Sequence, residues 1–326
     1  MASVLVIGSF NVDHVWTSDR LPRPGETLSG RYSTGPGGKG FNQAVAARRA
    51  GAVTRFVCAL GGDSGGDLAR ALAAEDGLEL RELRSEAPTG TAGIYLDEAG
   101  GNSIVIGAGA NGDLSADFVA AQIDAFADAA VVVAQLESPP AAVLEGLRRA
   151  RAAGAVALLN PAPANAAVAA ELLAETDLLT PNETEFTGLL ARHAGIRLDG
   201  EDIAATPDDR LHGWCRALLP HGTVIVTLGG SGCFVSHADG PRRGDEPPCY
   251  RLPAAPVRVV DTTGAGDAFN GALAAGMALA PAAPFAQHVR LATHYAALST
   301  ERPGAAEAMP SATQLRERFG DLFSAD

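Results

Sequence analysis

The feature that most constrains this chain is a repeated alternation: a short, wholly apolar run, then a glycine or polar turn, then an Ala/Leu-rich stretch of helical length. The runs are VLVIG, RFVCAL, AVVVAQLE, GAVALLN, TDLLTPNE, TVIVTLGG and VRVVDTTG. Segments apolar on both faces that alternate with helices specify an α/β fold, a mostly parallel sheet with helix layers. Ligands in such sheets bind beyond the carboxyl ends of the strands. Each run here ends in polar residues: Asn11 and Asp13 after the first, then Glu137, Asn160, Asn182 with Glu185, Thr227 and Asp261. The polar groups therefore collect where a site belongs.

Two stretches break the alternation. Residues of about 11 to 37 are rich in turns, and about 88 to 108 alternate like a hairpin. Both read as antiparallel strands with no helix between them, and together they predict a small sheet that covers the site as a lid. Residues 236 to 256 read as a surface hairpin or loop, and 192 to 214 as a polar insertion. At 326 residues the chain is expected to form one α/β domain with this excursion.

Composition excludes several classes. With 25 Lys and Arg against 38 Asp and Glu, a formal charge of −13 argues against nucleic acid or an anionic membrane as the main partner. Four cysteines, Cys58, Cys215, Cys233 and Cys249, form no C-x-x-C pair and fit reduced thiols in a cytoplasm. The opening MASVLVIGSFNVD lacks a basic n-region and reads as a first strand rather than a signal, and no run approaches a membrane span. Seven histidines show no H-E-x-x-H or triad spacing.

The richest segment is VRVVDTTGAGDAFNGALAAGMALA, from Val257 to Ala280. A strand ending at Asp261 is expected to lead through a loop of small residues into a helix whose apolar Phe269, Leu273 and Met277 recur every four residues. Gly264 and Gly266 let that backbone approach a ligand, so the helix N-terminus makes an anion site. Asp267 at that point is either a helix cap or a proton acceptor for a group attacking a bound phosphate. In STGPGGKGFNQAVAARRAGA, a G-x-G-x-x-G match (Gly35, Gly37, Gly40) lacks the core strand of a dinucleotide fold, and GPGGKGF lacks the spacing of a Walker loop. What remains is a glycine bed with Lys39, the chain's only lysine, and Asn42 near one face of a first helical turn, which suits a polyhydroxylated ligand. Asn182 and Glu185 either face a water-bound Mg²⁺ or cap a helix start. TLGGSG, Thr227 to Gly232, is either a nucleotide cradle or a hairpin turn.

In order, GSFNVD, PGETLSG, GGKGFNQAVAA, TGTAGIYL, GAGAN, QLESP, NPAPA, TPNETE, TLGGSG and DTTGAGDAFNGALAAG resemble the successive motifs of the ribokinase family, the PfkB-type carbohydrate kinases. The resemblance spans nearly the whole chain. It implies a three-layer α/β/α fold with a small antiparallel β lid and ATP-dependent phosphorylation of a sugar. The 5-hydroxyl of D-ribose is the expected acceptor, and deoxyribose, another pentose or a ketose the alternatives; a non-catalytic sugar-binding or regulatory protein is the rival of another class. Asp267 becomes the catalytic base, with Gly264, Ala265 and Gly266 forming the anion hole. Asn11, Asp13, Gly38, Lys39, Asn42 and Glu137 would hold sugar. Asn182, Thr227, Leu228, Gly229, Gly230, Ser231, Gly232, Gly266 and Asp267 would hold ATP, with Thr293 at the adenine beside His294. Glu185 would order Mg²⁺ through water. Asp261, Thr263, Ser299, Arg302 and Gly304 would surround potassium, where Ala308 replaces a usual serine. Phe41, in place of a small residue, either packs or narrows the sugar pocket. A cytoplasmic homodimer paired through its lids completes the expectation.

Overall fold

Val4 and Val6 of the first strand point into one apolar cluster and Leu5 and Ile7 into another, and all four are fully buried. A strand dry on both faces needs helices on both, and the computed structural model of the chain, which describes residues 2–99, 101–198, 202–239 and 243–321, shows them there.

The strands in chain order are β1 (Ser3–Ile7), β2 (Asn11–Ser18), β3 (Arg31–Gly37), β4 (Val53–Gly61), β5 (Glu79–Ser85), β6 (Gly90–Asp97) and β7 (Asn102–Gly107). They continue as β8 (Ala129–Ala134), β9 (Val156–Leu159), β10 (Leu178–Leu179), β11 (Thr223–Thr227), β12 (Cys233–Ser236) and β13 (Cys249–Leu252). The helices are α1 (Lys39–Arg49), α2 (Ser64–Asp76), α3 (Ala116–Ala120), α4 (Ile123–Ala127), α5 (Pro140–Ala152) and α6 (Ala170–Ala174). Then follow α7 (Glu183–Leu189), α8 (Asp208–Leu218), α9 (Ala265–Leu279), α10 (Phe285–Ser299) and α11 (Ala312–Phe319).

Nine strands form the main sheet in the order β13-β12-β11-β10-β9-β8-β1-β4-β5, parallel from β11 to β5, with β12 and β13 added as an antiparallel hairpin. Helices α1, α9 and α10 pack on one face, and α5 and α8 on the other. The α1–α9 contact is unusually close because Gly271 has no side chain: a Cβ there would lie 2.5 Å from the Ala46 methyl and from the Gln43 carbonyl. That crossing sets the start of α1 against the start of α9.

The other four strands form a separate sheet in the order β3-β2-β6-β7. Its outer pairs are the antiparallel ones expected, whereas β2 and β6 at its centre run parallel, Asp13 opposite Ala92 and Trp16 opposite Tyr95. The reason is topological. Both strands leave the main sheet at its carboxyl edge, so they set out in the same direction.

Three expectations need correction. The run from Val257 to Asp261 is not a strand. The amides of Val260 and Asp261 bond the Thr300 carbonyl at the end of α10, and Val257 and Val259 wall a cavity instead of entering the core. Asn11 and Asp13 do not end the first strand, which stops at Ile7; they open β2 on one face. The stretch 192–214 is not polar throughout: from Asp208 it is helix α8, whose Leu211, Trp214, Cys215 and Leu218 form a buried stripe. Residues 199–201 of that stretch, and 240–242 of the 236–256 connection, lie outside the described residues. β12 and β13 supply the expected hairpin, and Asp245 ties their connection inward by accepting from Tyr250 Oη at 2.6 Å and the Ala286 amide at 2.9 Å.

Candidate active site

Helix α1 starts immediately after Gly38, whose φ of 91° places it in the left-handed region that favours glycine. A Cβ at Gly38 would also sit 2.8 Å from the Asn11 amide nitrogen. This turn lets Lys39 begin the helix beside Glu137, whose Oε2 accepts from the Lys39 amide at 2.9 Å and from Ser9 Oγ at 2.6 Å. Asn11 is buried, its Oδ1 accepting from Asn111 Nδ2 at 2.9 Å, and the Asp13 carboxylate leans over Gly37. Burial, and then the charge of Glu137, push Asp13 up to about 7.

Asp267 is the third residue of α9 and is buried. It is not a cap. Its two oxygens face α1, Oδ2 accepting from Asn42 Nδ2 and Oδ1 from Gln43 Nε2, each at 2.9 Å. Burial raises its pKa, opposed by the charge of Lys39 and by these two donors. Burial also works against the Lys39 ammonium, but Asp267, Glu137 and Glu185 outweigh it and hold its pKa above the ordinary value. One cation thus stands among three carboxylates.

Asn182 and Glu185 form the capping box that the sequence left as one alternative, Glu185 Oε2 accepting from the Asn182 amide at 2.9 Å and Asn182 Oδ1 from the Glu185 amide at 2.9 Å. Capping does not remove them from the site. Both line a cavity of about 170 Å³ together with Lys39, Gly264, Ala265, Gly266 and Asp267. Burial raises the pKa of Glu185, with the Asn182 amide and Lys39 opposing and Asp267 adding to the rise.

This cavity shares Asn182, Thr227, Ala265 and Gly266 with a larger one of about 630 Å³, whose walls include Gly229, Gly230, Gly232, Val257, Val259 and Thr293. Leu228 and Ser231 do not line it: Leu228 is buried in the core and Ser231 is exposed in the turn. Thr293 lies on its wall, while the His294 ring packs edge-on against Phe319 at 4.7 Å. Phe41 is core, 5.1 Å from the Phe10 ring centroid, and does not reach the site.

Asp261 organises two loops. Its Oδ1 accepts from the Thr263 amide at 2.9 Å and from Thr263 Oγ1 at 2.7 Å, and its Oδ2 from the Gly304 amide at 2.9 Å. Burial pushes its pKa up, but these donors outweigh that and hold it below the ordinary value. Ser299 ends α10 and Arg302 follows, its amide reaching the Ser299 carbonyl at 3.4 Å. Ala308 is buried in a 3₁₀ turn and offers no hydroxyl.

Apart from Leu228 and Ser231, the residues expected around sugar, phosphoryl group and nucleotide therefore lie together at one end of the sheet. Sequence reasoning gave no role to Gln43, Ser9, Asn111, Asn160, Thr180 or Asn270. All six nevertheless lie within motifs already singled out: Ser9 in GSFNVD, Gln43 in GGKGFNQAVAA, Asn111 in GAGAN, Asn160 in NPAPA, Thr180 in TPNETE and Asn270 in DTTGAGDAFNGALAAG.

Residues 1–312 match the model of the pfkB family carbohydrate kinases. The chain is 37% identical over 315 residues to a ribokinase of Mus musculus, which covers 95% of this chain and 92% of that one. Among solved structures it is similar to ribokinase from Giardia lamblia, with a TM-score of 0.84, 29% identity and coverage of 97% of this chain and 98% of that one. It is also similar to Arabidopsis thaliana ribokinase complexed with ribose and ATP, with a TM-score of 0.81, 29% identity and 99% of each chain covered.

Proposed function

Because the chain belongs to the pfkB family of carbohydrate kinases, we propose that it moves the γ-phosphoryl group of ATP to the 5-hydroxyl of D-ribose with Asp267 as the base. The observation that carries this is the place of that carboxylate: buried in the first turn of α9, on the wall of a small cavity that joins a larger cleft. A carboxylate beside an anion-binding helix end is repelled by phosphate unless it handles a proton there.

Asp267 accepts the hydroxyl proton as the sugar oxygen forms its bond to phosphorus and the bond to the ADP oxygen breaks. The amides of Ala265, Gly266 and Asp267 begin α9 and stabilise charge on the transferring group; those of Gly266 and Asp267 have no partner within the helix, that of Ala265 donates to the Thr262 carbonyl at 3.2 Å, and Gly264 (φ 73°) makes the turn before them. Asn11, Asp13, Gly38, Lys39, Asn42 and Glu137 hold the sugar. Asn42 Oδ1 supports this role, being buried with no hydrogen-bond partner while its amide nitrogen holds Asp267. Asn182, Thr227 and the glycines from Gly229 to Gly232 line the nucleotide side, and Val257, Val259 and Thr293 face the base.

Mg²⁺ fits at Glu185 through water only: among the described residues no three acidic, His or Cys side chains converge to ligate a metal directly. There it would screen the phosphate oxygens. The oxygen-rich loops joined by Asp261 suit a monovalent cation such as potassium, held by Asp261, Thr263, Ser299, Arg302 and Gly304 mostly through carbonyls, where it would sharpen the anion hole.

The small sheet is the lid. Its strand β7 is exposed throughout, and Trp16, Tyr32, Tyr95, Ile104, Val105 and Ile106 leave apolar surface uncovered, which supports a homodimer formed by pairing lids. No described helix is long and apolar enough to cross a membrane. The four cysteines are all unpaired, which supports a cytoplasmic home.

The test is ADP release with ATP and Mg²⁺ across ribose, 2-deoxyribose, arabinose, xylose, fructose and adenosine, each in potassium and in sodium. Ribose in potassium is expected to be fastest. Faster turnover of another sugar would move the acceptor, and sugar binding without turnover of any would favour a binding protein.

A further inference from the structure

Beneath Asp267 lies a chain of five buried, uncharged side chains, two on helices α1 and α9 and three at the ends of strands β8, β9 and β10. Gln43 on α1 is fully buried and uses every hydrogen-bonding group it has. Its Nε2 donates to Asp267 Oδ1 at 2.9 Å and to Asn160 Oδ1 at 3.1 Å, and its Oε1 accepts from Gln135 Nε2 at 2.6 Å. Asn160 passes the chain on, donating to the Thr180 carbonyl at 3.1 Å. Thr180 Oγ1 donates to Asn270 Oδ1 at 2.6 Å, and Asn270 Nδ2 donates to the Gly266 carbonyl at 2.8 Å. The chain thus begins on the carboxylate of Asp267 and returns to the peptide that carries the Asp267 amide.

Both ends of the reaction centre are held by one network. An apolar lining would bury Asp267 as well, but it would leave the carboxylate free to rotate. Resting on Asp267 as the base, we infer that Gln43 is a positioning residue for phosphoryl transfer. It fixes Oδ1 and leaves Oδ2, beside sugar-facing Asn42, as the oxygen that takes the hydroxyl proton. Gln135 holds Gln43 in the amide orientation this requires: its Nε2 donates to the Gln43 oxygen, which keeps that oxygen turned away from Asp267 and the Gln43 Nε2 turned toward it. Gln43 lines neither cavity; it meets the smaller one through Asp267 and, at the other hydrogen of its amide, through Asn160, and its effect on proton transfer runs through Asp267.

The test is a double-mutant cycle of Gln43→Met with Asp267→Asn, read as kcat, KM and the pH profile of kcat. Gln43→Met is expected to lower kcat about 10- to 100-fold, with both KM values within about threefold, as for a misplaced catalytic group. The acidic limb of kcat moves to higher pH, because a donor to the ionised carboxylate is gone while the facing charges of Lys39, Glu137 and Glu185 stay. In the Asp267→Asn background, Gln43→Met is expected to change the residual rate less than about twofold. Equal fold losses in both backgrounds, or an unmoved limb, would overturn the inference and leave Gln43 a packing residue. Normal turnover by Asp267→Asn alone would instead remove the base itself, a different failure. Should Gln43→Met not fold, Gln135→Met carries the test through kcat and its acidic limb, with a fall of roughly three- to tenfold expected in kcat and the same shift of the limb. Wild-type values there would overturn it.

Discussion

The base-bearing junction of α1 and α9 and the small four-stranded sheet both contribute to the site, yet they are built in opposite ways. At the junction, Asn42, Gln43, Asp267 and Asn270 are buried, joined by side-chain hydrogen bonds and pressed together across Gly271. In the small sheet, β7 is exposed along its length and the burial of β2 falls away from Asn11 toward Ser18. Only its first residues, Asn11 and Asp13, reach the site. On the proposed roles, the contrast separates two tasks: the base sits on elements pressed together in the core, and Asn11 and Asp13, proposed to hold the sugar, sit at the root of an exposed sheet.

The comparison breaks first at Asp267. Asp267→Asn is expected to lower kcat roughly a thousandfold or more while calorimetry still finds sugar binding. Comparable loss from a substitution far out on the small sheet would erase the division of labour.

Asp13 sharpens it. Asp13→Asn is expected to raise the sugar KM roughly tenfold with a smaller change in kcat, as loss of a charged acceptor for hydroxyls requires. The same residue has a pH signature. Its pKa is raised from 3.8 to about 7 in the folded protein, so the native state binds the extra proton and stability without ligand falls as pH rises through that window. Asp13→Asn removes this slope. Relative to the parent, its melting temperature is expected to climb between about pH 4 and about pH 7; parallel curves would mean that Asp13 is not held in the buried, charge-crowded position described.

The smallest effect is one of motion. With ribose, amide hydrogen exchange of residues 11–18 and 90–107 is expected to slow roughly threefold or more, while α9 stays as it was. Equal slowing in both regions would make the whole molecule, not the small sheet, the moving part.

Much of this architecture was legible in the residues because each signal was local. Runs buried on both faces announce a parallel sheet, and polar residues at their ends announce its site. Asp267 stood out because a carboxylate does not belong beside an anion hole without a task. What escaped was set by distant partners. ELRELRS is not among the apolar runs of the sequence, yet as β5 it pairs with β4, its Glu79 and Glu82 meeting Arg55 and Arg70. VRVVD looks like a strand because β-branched residues suit strands and binding-site walls equally. The role of Gln43 depends on Asn160 and Asp267, far along the chain, so no window of sequence around it contains the reason for it.

Lys39 is the only lysine in the chain, and it stands among Glu137, Glu185 and Asp267. Amine-directed chemistry on this protein, apart from its α-amino group, therefore has a single address, and that address lies in the proposed reaction centre. An acylating reagent becomes an occupancy gauge: its rate at one amine follows whether the site is full, with no other lysine to dilute the signal. Inside a cell the same arithmetic makes lysine acylation an all-or-nothing event, since the first lysine modified is also the one proposed to hold the sugar.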